Sequence, residues 1–127
     1  MENEKLDVVK WPRSWMGLKE DLEYGEELIK IILPFINYLQ DQKLSKKTLS
    51  LHINNLWLLG GYLIKQINDY EEDRNKKPLD LLLENINEYE GPLIDHDSEE
   101  NQKKIDSTCK KLYKFIRSES SNKSLEH

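Results

Sequence analysis

Residues 45–68 read SKKTLSLHINNLWLLGGYLIKQIN, and this stretch decides the fold. After Ser45, apolar or small residues recur at spacings of four and three residues, which is the period of one face of an α-helix. A serine before such a stripe can cap the amides of the first turn. The sequence therefore predicts a long helix here, and Trp57 to Leu59 widen its apolar surface. The stripe consists of Leu49, Ile53, Leu56, Gly60, Leu63 and Ile67.

The pair Gly60-Gly61 lies in the middle of this predicted helix. Each glycine there costs about 1 kcal/mol relative to alanine, so the pair needs an explanation. Gly60 is on the apolar stripe, and one explanation is a close approach of two backbones. The other is a break in the helix or a small cavity, and the sequence leaves both open.

An earlier segment, from Leu18 to Leu39, predicts the first long helix. Its apolar residues and Gly25 recur with the same spacing. Pro34 lies inside this segment and cannot donate a hydrogen bond to the carbonyl of Lys30. We therefore expect a kink or a second helix start at that point.

Two more helices are predicted in the second half of the chain. Pro78 is a favourable first-turn residue for a short third helix, which ends before Gly91-Pro92. Ser98 is placed to cap a fourth helix. The apolar stripe of the fourth helix consists of Ile105, Cys109, Leu112 and Ile116.

Two short segments flank the predicted helices. Residues 1–17 contain Trp11 and Trp15 without a helical period, and two such side chains are unfavourable in water. We therefore interpret residues 1–17 as an N-terminal arm docked on the helices. Residues 118–127 are rich in Ser, Lys and Asn and predict a disordered tail. The last three residues, Leu-Glu-His, resemble the start of a vector-derived histidine tag.

The composition supports the same fold class. Leucine and isoleucine are abundant while valine and threonine are scarce, which favours helices over strands. A length of 127 residues suits one domain. We predict an all-α, single-domain bundle of about four helices in residues 18–117, with an N-terminal aromatic arm.

Charge is distributed unevenly along a chain whose formal net charge is −5. Residues 42–69 and 102–127 carry net charges of +3 and +4, whereas residues 1–41 and 70–101 carry −4 and −8. The overall acidity argues against nucleic-acid binding by the whole surface. We interpret the blocks as complementary faces or as separately solvated helices, with a single shared basic face as the alternative.

Residues that could support catalysis or metal binding each have a structural explanation. Asp95, His96 and Asp97 offer possible metal ligands, but they fit an acidic turn before a helix cap. His52 could act as a base, yet its position predicts a partly buried, hydrogen-bonded histidine. Cys109 falls on an apolar stripe and is expected to fill core volume. The sequence has no phosphate-binding, nucleophile-elbow or paired-cysteine motif, so we expect no cofactor, no metal and no enzymatic activity.

The aromatic residues suggest a protein interface. Their number exceeds what a core of this size needs, and large aromatic side chains are common anchors at interfaces. The leading functional hypothesis is a non-enzymatic interaction module that binds another protein or a second copy of itself. The candidate interface residues are Trp11, Trp15, Trp57, Tyr38 and Tyr62.

Residues 35–56 support a second hypothesis. Their motif consists of Phe35, Tyr38-Leu39, the run LSKKTL at 44–49, His52 and Leu56. It resembles the N-terminal core-binding domain of tyrosine recombinases, where F-x-x-Y-L ends one helix and S-x-x-T-[IL] begins the next.

That resemblance implies a DNA-contacting helical module of a mobile element. By analogy, Lys43, Lys46, Lys47 and His52 would be DNA contacts. The sequence departs from the family in three ways. The 127 residues are too few to include the recombinase catalytic domain, the Arg and Tyr catalytic set of the family is not recognisable, and the chain is acidic where a DNA clamp should be basic.

Several features bear on the expected compartment. The single cysteine cannot form an internal disulfide, which fits a reducing environment. No apolar run approaches the roughly 18 residues of a membrane span, and the N-terminus lacks the apolar core of a signal peptide. We expect a cytoplasmic protein without a membrane partner.

Overall fold

Residues 7–125 are described by the computed structural model, with side chains as far as Glu119. A 3-10 turn at Val8–Lys10 precedes six α-helices. No strand occurs in this part of the chain, and the predicted all-α class is confirmed. The helices are α1 (Trp11–Trp15), α2 (Asp21–Asp41), α3 (Lys46–Asp69), α4 (Glu71–Arg74), α5 (Pro78–Asn85) and α6 (Glu99–Leu125).

The long helices α2, α3 and α6 form the centre of the bundle. Helices α2 and α3 are antiparallel, because Asn68 at the end of α3 donates a hydrogen bond to Asp21 at the start of α2. The C-terminal halves of α2 and α6 meet where the rings of Phe35 and Phe115 lie 5.4 Å apart. The apolar stripes of all three helices face inward, and their residues are buried except for Leu22 and Leu49, which are half-buried.

Helices α3 and α6 are antiparallel as well. Asn55 on α3 donates a hydrogen bond to the carbonyl of Lys104 on α6. His52, one turn earlier on α3, pairs with Thr108, one turn later on α6. The first turn of α3 therefore lies beside the C-terminal half of α6.

Both predicted serine caps are confirmed. The Oγ of Ser45 accepts a hydrogen bond from the amide of Thr48 at 3.1 Å, at the start of α3. The Oγ of Ser98 accepts one from the amide of Asn101 at the same distance, at the start of α6. Each cap satisfies an amide that has no partner within its helix.

Helix α2 differs from its prediction at two places. It begins at Asp21 rather than Leu18, because the Asp21 carboxylate accepts hydrogen bonds from the amides of Gly17 and Leu18 and holds them in a turn. Leu18 is consequently 49% exposed. Of the two outcomes expected at Pro34, a second helix start is wrong, since α2 runs through this exposed proline without interruption, and a kink stays a prediction.

The two flanking segments also have defined positions. Residues 7–17 are docked on the bundle, and part of the arm is the short helix α1. Residues 1–6 of the predicted arm lie outside the described residues. Helix α6 continues to Leu125, through most of the segment 118–127 for which the composition predicts disorder.

Candidate functional site

Trp15 is the centre of the docked arm. It is 9% exposed, and its Nε1 donates to the carbonyl oxygen of Trp57 on α3 at 3.0 Å. A Cβ added at Gly60 would lie 2.8 Å from Cε2 of Trp15 and closer still to two other ring atoms. A Cβ at Gly25 of α2 would lie 3.4 Å from Cε3. We call the surface of Gly25, Gly60 and Gly61 the Trp15 seat.

The Trp15 seat explains the glycine pair in the middle of α3. A side chain at Gly60 would occupy the space of the indole, whereas a Cβ at Gly61 would make an ordinary contact of 3.4 Å with Cδ1 of Trp15. Helix α3 is continuous through both glycines, and Trp15 fills the space beside them. The pair marks a close approach between a helix and a side chain, rather than a helix break or a cavity.

The other two tryptophans lie close to Trp15, Trp11 within the arm and Trp57 on α3. Trp11 is buried, and its ring centroid lies 5.8 Å from that of Trp15. Trp57 is 37% exposed, while its Nε1 donates to Oγ of Ser14 at 3.0 Å. Trp11 and Trp15 are thus used in the chain's own core and present little surface to a partner. Of the three tryptophans, Trp57 alone offers a substantial exposed ring.

Tyr62 lies near the end of α3, in acidic surroundings. It is half-buried and lines a shallow groove with Tyr70, which is exposed. The same groove is bordered by the carboxylates of Asp69, Glu71 and Glu72. This surface is suited to a cationic or aromatic contact and is unfavourable for a phosphate.

Tyr38 lies in a second groove, between the end of α2 and the C-terminal half of α6. It is 46% exposed, and its ring centroid lies 6.2 Å from that of Phe35 and 5.1 Å from that of Phe115. The groove has a volume of about 640 Å³. Lys110, Lys111 and Lys114 form its wall on α6. We call this surface the lysine groove.

The three lysines of the lysine groove have no partner among the side chains that the structure describes. Among residues 7–119, whose side chains the structure describes, none of them has an ion-pair or hydrogen-bond partner, and Glu119 also lines the groove. On the opposite wall, Gln42 and Leu44 belong to the connection between α2 and α3. The lysine groove is therefore an electropositive surface with an aromatic floor.

The remaining predicted DNA-contact lysines stand beside this groove. Lys43 lies between the two groove residues of the α2–α3 connection, and Lys46 and Lys47 form the first turn of α3. Residues 38–48 and 107–119 together contain seven cationic side chains and two carboxylates. The two basic blocks therefore meet at one end of the bundle, so the shared basic face describes them better than separate or complementary faces.

His52 is the exception among the predicted DNA contacts. Its ring is 4% exposed, between α3 and α6, and Nδ1 lies 2.7 Å from Oγ1 of Thr108. A side chain enclosed in this way cannot reach a phosphate, so its assignment as a DNA contact is wrong. Burial lowers the pKa of His52, and the charge of Lys111 lowers it further. The expected buried, hydrogen-bonded histidine is confirmed.

The other residues that were considered for chemistry have structural contacts. The Asp95 carboxylate accepts hydrogen bonds from the amides of Asp97 and Ser98 and so shapes the turn before α6. Cys109 is buried in the core, as predicted. Burial, with a contribution from the charge of Asp106, raises the pKa of the thiol to about 12 and keeps it protonated at neutral pH.

Sequence reasoning missed a cluster of hydrogen bonds around the buried carboxylate of Asp21, which we call the Asp21 cluster. Oδ2 of Asp21 accepts three hydrogen bonds of 2.8 Å, from the amides of Gly17 and Leu18 and from Asn68. Oδ1 accepts one of 2.9 Å from Arg74. Burial alone would raise the pKa of Asp21, but these four donors outweigh it and lower the pKa.

The Asp21 cluster is a structural anchor rather than a site for a ligand. It ties the arm, α2, α3 and α4 to one enclosed carboxylate whose oxygens are already hydrogen-bonded. The available signal was an acidic residue at the start of a helix, whose carboxylate can reach back to an amide three residues earlier, as in a capping box. The contact with Arg74 depends on tertiary packing and has no local signal.

Comparisons with protein-family models, curated proteins and solved structures found no match to this chain. Within residues 7–125, no helix is long and apolar enough to cross a membrane. Among the side chains described, no group of three or more His, Cys, Asp or Glu is arranged to hold a metal ion. The candidate site therefore rests on geometry and charge.

Proposed function

We propose that this protein is a non-enzymatic helical module that contacts nucleic acid through the lysine groove and the adjacent start of α3. The observation that carries the proposal is the meeting of two basic segments, 43–47 and 110–117, that are far apart in the sequence. A charge cluster assembled by the fold from separate helices is more informative than a run of lysines on one helix.

The chemistry of this surface matches a phosphate backbone. Lys110, Lys111 and Lys114 have no partner among the described residues, so a phosphate would not have to displace an ion pair. The first turn of α3 directs backbone amides and the positive end of the helix dipole to the same end of the bundle. Both features favour a polyanion that carries several phosphates along its chain.

The resemblance to the recombinase core-binding domain agrees with this location. It covers residues 35–56, which include the end of α2, its connection to α3 and the first turns of α3. The lysines on α6 lie outside the segment that carries the resemblance and reach the same end through packing. The two arguments therefore use different parts of the chain.

The acidic remainder of the molecule would orient such a contact. The surface around Tyr62 and residues 69–73 would be repelled by phosphates, leaving the lysine groove as the favourable approach. Because the acidic and basic side chains lie on different surfaces, an overall charge of −5 is compatible with phosphate binding at the lysine groove. A cytoplasmic location is part of the proposal, as the sequence suggests.

The experiment is a binding titration with a labelled DNA duplex at about 50 mM salt, where phosphate contacts are strong. We expect binding by the unmodified protein and a large loss on replacing Lys110 and Lys114 with Glu. The control replaces Lys19 and Lys77 with Glu, which makes the same change of net charge on exposed residues at the other end. Absence of binding, or equal loss in the control, would contradict the proposal.

A protein interface is the second candidate function, and the exposure of Trp57 favours it. The ring of Trp57 borders a shallow groove of about 320 Å³ with Ile53 and Asn54. Its Nε1 is held by Ser14, so the ring is fixed in place before any contact forms. Rigid aromatic rings of this kind are effective interface anchors.

Sedimentation at increasing protein concentration tests self-association through this surface. If a second copy binds there, the sedimentation coefficient should rise with concentration, and Asn54→Glu should abolish the rise. Asn54 is exposed, so the substitution adds a charge to the surface without disturbing the core. A monomer at every concentration would remove the case for self-association.

A further inference from the structure

Tyr38 gives the lysine groove a property that a simple basic patch lacks. Its ring lies nearly parallel to that of Phe35, with an interplanar angle of 20°, and at 40° to that of Phe115. These inner rings hold Tyr38 in place, while 46% of its surface stays exposed. A fixed and accessible aromatic ring is a platform on which a second flat ring can stack.

The combination of cations and a fixed ring distinguishes the lysine groove from the other two grooves described above. The groove at Trp57 is lined by Trp11, Ser50, Ile53 and Asn54 and contains no charged side chain. The groove at Tyr62 is bordered by carboxylates. Phosphates and an aromatic base can be bound together at the lysine groove because it supplies partners for both.

We propose that the lysine groove binds single-stranded nucleic acid, with an unpaired base stacked on Tyr38 and the flanking phosphates held by Lys110, Lys111 and Lys114. This inference rests on the proposed function and adds a contact with Tyr38 that an unpaired strand can make and a duplex cannot. In a duplex the bases are stacked on one another, so their faces are not available to a side chain. An unpaired strand offers both base faces and phosphates.

The dimensions of the groove agree with this occupant. Its volume of about 640 Å³ is within the roughly 300–1,000 Å³ of sites that enclose small molecules. The three lysines lie at positions i, i+1 and i+4 of α6, along one wall, and Tyr38 belongs to the aromatic floor beside them. Glu119 also lines the groove, and a phosphate beside its carboxylate would be unfavourable.

The test compares two probes on the same variants. The first is a labelled oligodeoxythymidylate of about 12 nucleotides, within the site sizes of single-strand-binding domains, and the second is a duplex of equal length. Tyr38→Ala should weaken single-strand binding by about 5- to 150-fold, the range found for loss of one base–aromatic stack. Duplex affinity should be unchanged. Tyr38→Phe, which keeps the ring, should retain single-strand binding.

Tyr70→Ala is the matched control, because Tyr70 is an exposed tyrosine at the acidic end. Thermal unfolding followed by circular dichroism checks each variant. If Tyr38→Ala loosens the groove, Tyr38→Leu keeps an apolar side chain over Phe115 without an aromatic face and replaces it in the test.

The outcomes separate this inference from the proposed function. Single-strand binding that survives Tyr38→Ala or Tyr38→Leu, but is lost with Lys110→Glu and Lys114→Glu, overturns the stacking role and leaves nucleic-acid contact standing. Equal losses on both probes in the Tyr38 variants also overturn it. If neither the single strand nor the duplex binds at about 50 mM salt, both proposals are overturned, and a protein partner is left as the candidate.

Discussion

The Trp15 seat and the lysine groove are both built around aromatic rings, and they differ in whether the chain itself supplies the partners. In the Trp15 seat, the indole is buried against glycines and its Nε1 is hydrogen-bonded to the carbonyl of Trp57. In the lysine groove, Tyr38 is half-exposed and three lysines are unpaired among the described residues. In the Trp15 seat the chain itself supplies the contacts of the aromatic ring, whereas in the lysine groove the ring and the lysines remain accessible to another molecule.

This difference shows that the exposure of aromatic side chains in the fold, rather than their number in the sequence, indicates an interface. Counted along the sequence, Trp11, Trp15 and Tyr38 are equivalent candidates for an interface. In the fold, the two tryptophans stabilise the arm while Tyr38 remains accessible. Substitutions in the Trp15 seat should therefore act on stability, and substitutions in the lysine groove should act on binding.

The largest expected effect is that of Gly60→Ala. The added methyl group would displace the Trp15 indole from its place on α3, with a loss of stability of about 3 kcal/mol or more, as for removal of a large buried ring. Gly61→Ala is the control, because its Cβ makes only ordinary contact and alanine favours a helix by about 1 kcal/mol. Urea unfolding measures both, and equal effects would contradict the Trp15 seat.

Asp21→Asn should have the next largest effect, a loss of about 3 kcal/mol, because the charge that pairs with Arg74 is lost and an NH2 donor replaces one acceptor oxygen among buried donors. Since the pKa of Asp21 is lowered on folding, its contribution is present above the unfolded value of 3.8 and is lost as pH falls through the folded pKa. The free energy of unfolding should therefore depend less on pH in the variant than in the unmodified protein across this range. Glu23→Gln, an exposed carboxylate in the same turn, should change stability by less than about 0.5 kcal/mol.

His52 should give a smaller, pH-dependent effect. Burial, followed by the charge of Lys111, lowers its pKa below 6.5, so the unfolded chain binds a proton that the folded chain does not. Stability should therefore fall as pH drops below 6.5 and level off below the folded pKa. His52→Gln should remove this slope, while His96→Gln, on an exposed residue, should keep it. An unchanged slope in the His52 variant would contradict the assignment.

The smallest stability effects are expected in the lysine groove. Lys110→Gln and Lys114→Gln remove no described contact and reduce repulsion between like charges, so unfolding free energies should shift by less than about 0.5 kcal/mol. Urea unfolding measures the free energy of unfolding of these variants, which is then compared with that of the Trp15-seat variants. A loss above 1 kcal/mol would show that these lysines support the fold, contrary to our account.

The helices could be predicted because their signals are local. The stripe after Ser45 and the cap at Ser98 depend on residues within a few turns of each other, and in the structure both helices begin where the sequence predicts. The start of α2 was missed by three residues. The reason is that Asp21 captures the preceding amides, a contact that competes with extension of the apolar stripe to Leu18.

The candidate site was predicted only in part, because it depends on how helices pair. Tyr38 and Lys43 were named from the sequence, but the lysines of α6 were not singled out as contacts. Their proximity requires α3 and α6 to be antiparallel, and nothing local in either helix specifies that pairing. The burial of His52 follows from the same pairing, which brings Thr108 to its ring.

The most direct test of the central claim is the salt dependence of duplex binding. If both basic blocks form one contact face, replacing Lys43 and Lys47 with Gln should reduce the slope of log affinity against log salt by about 1.8, at roughly 0.9 per phosphate contact. Replacing Lys110 and Lys114 should do the same, and replacing Lys19 and Lys77 should leave the slope unchanged. A slope that responds to one block alone, or to neither, would contradict the shared basic face.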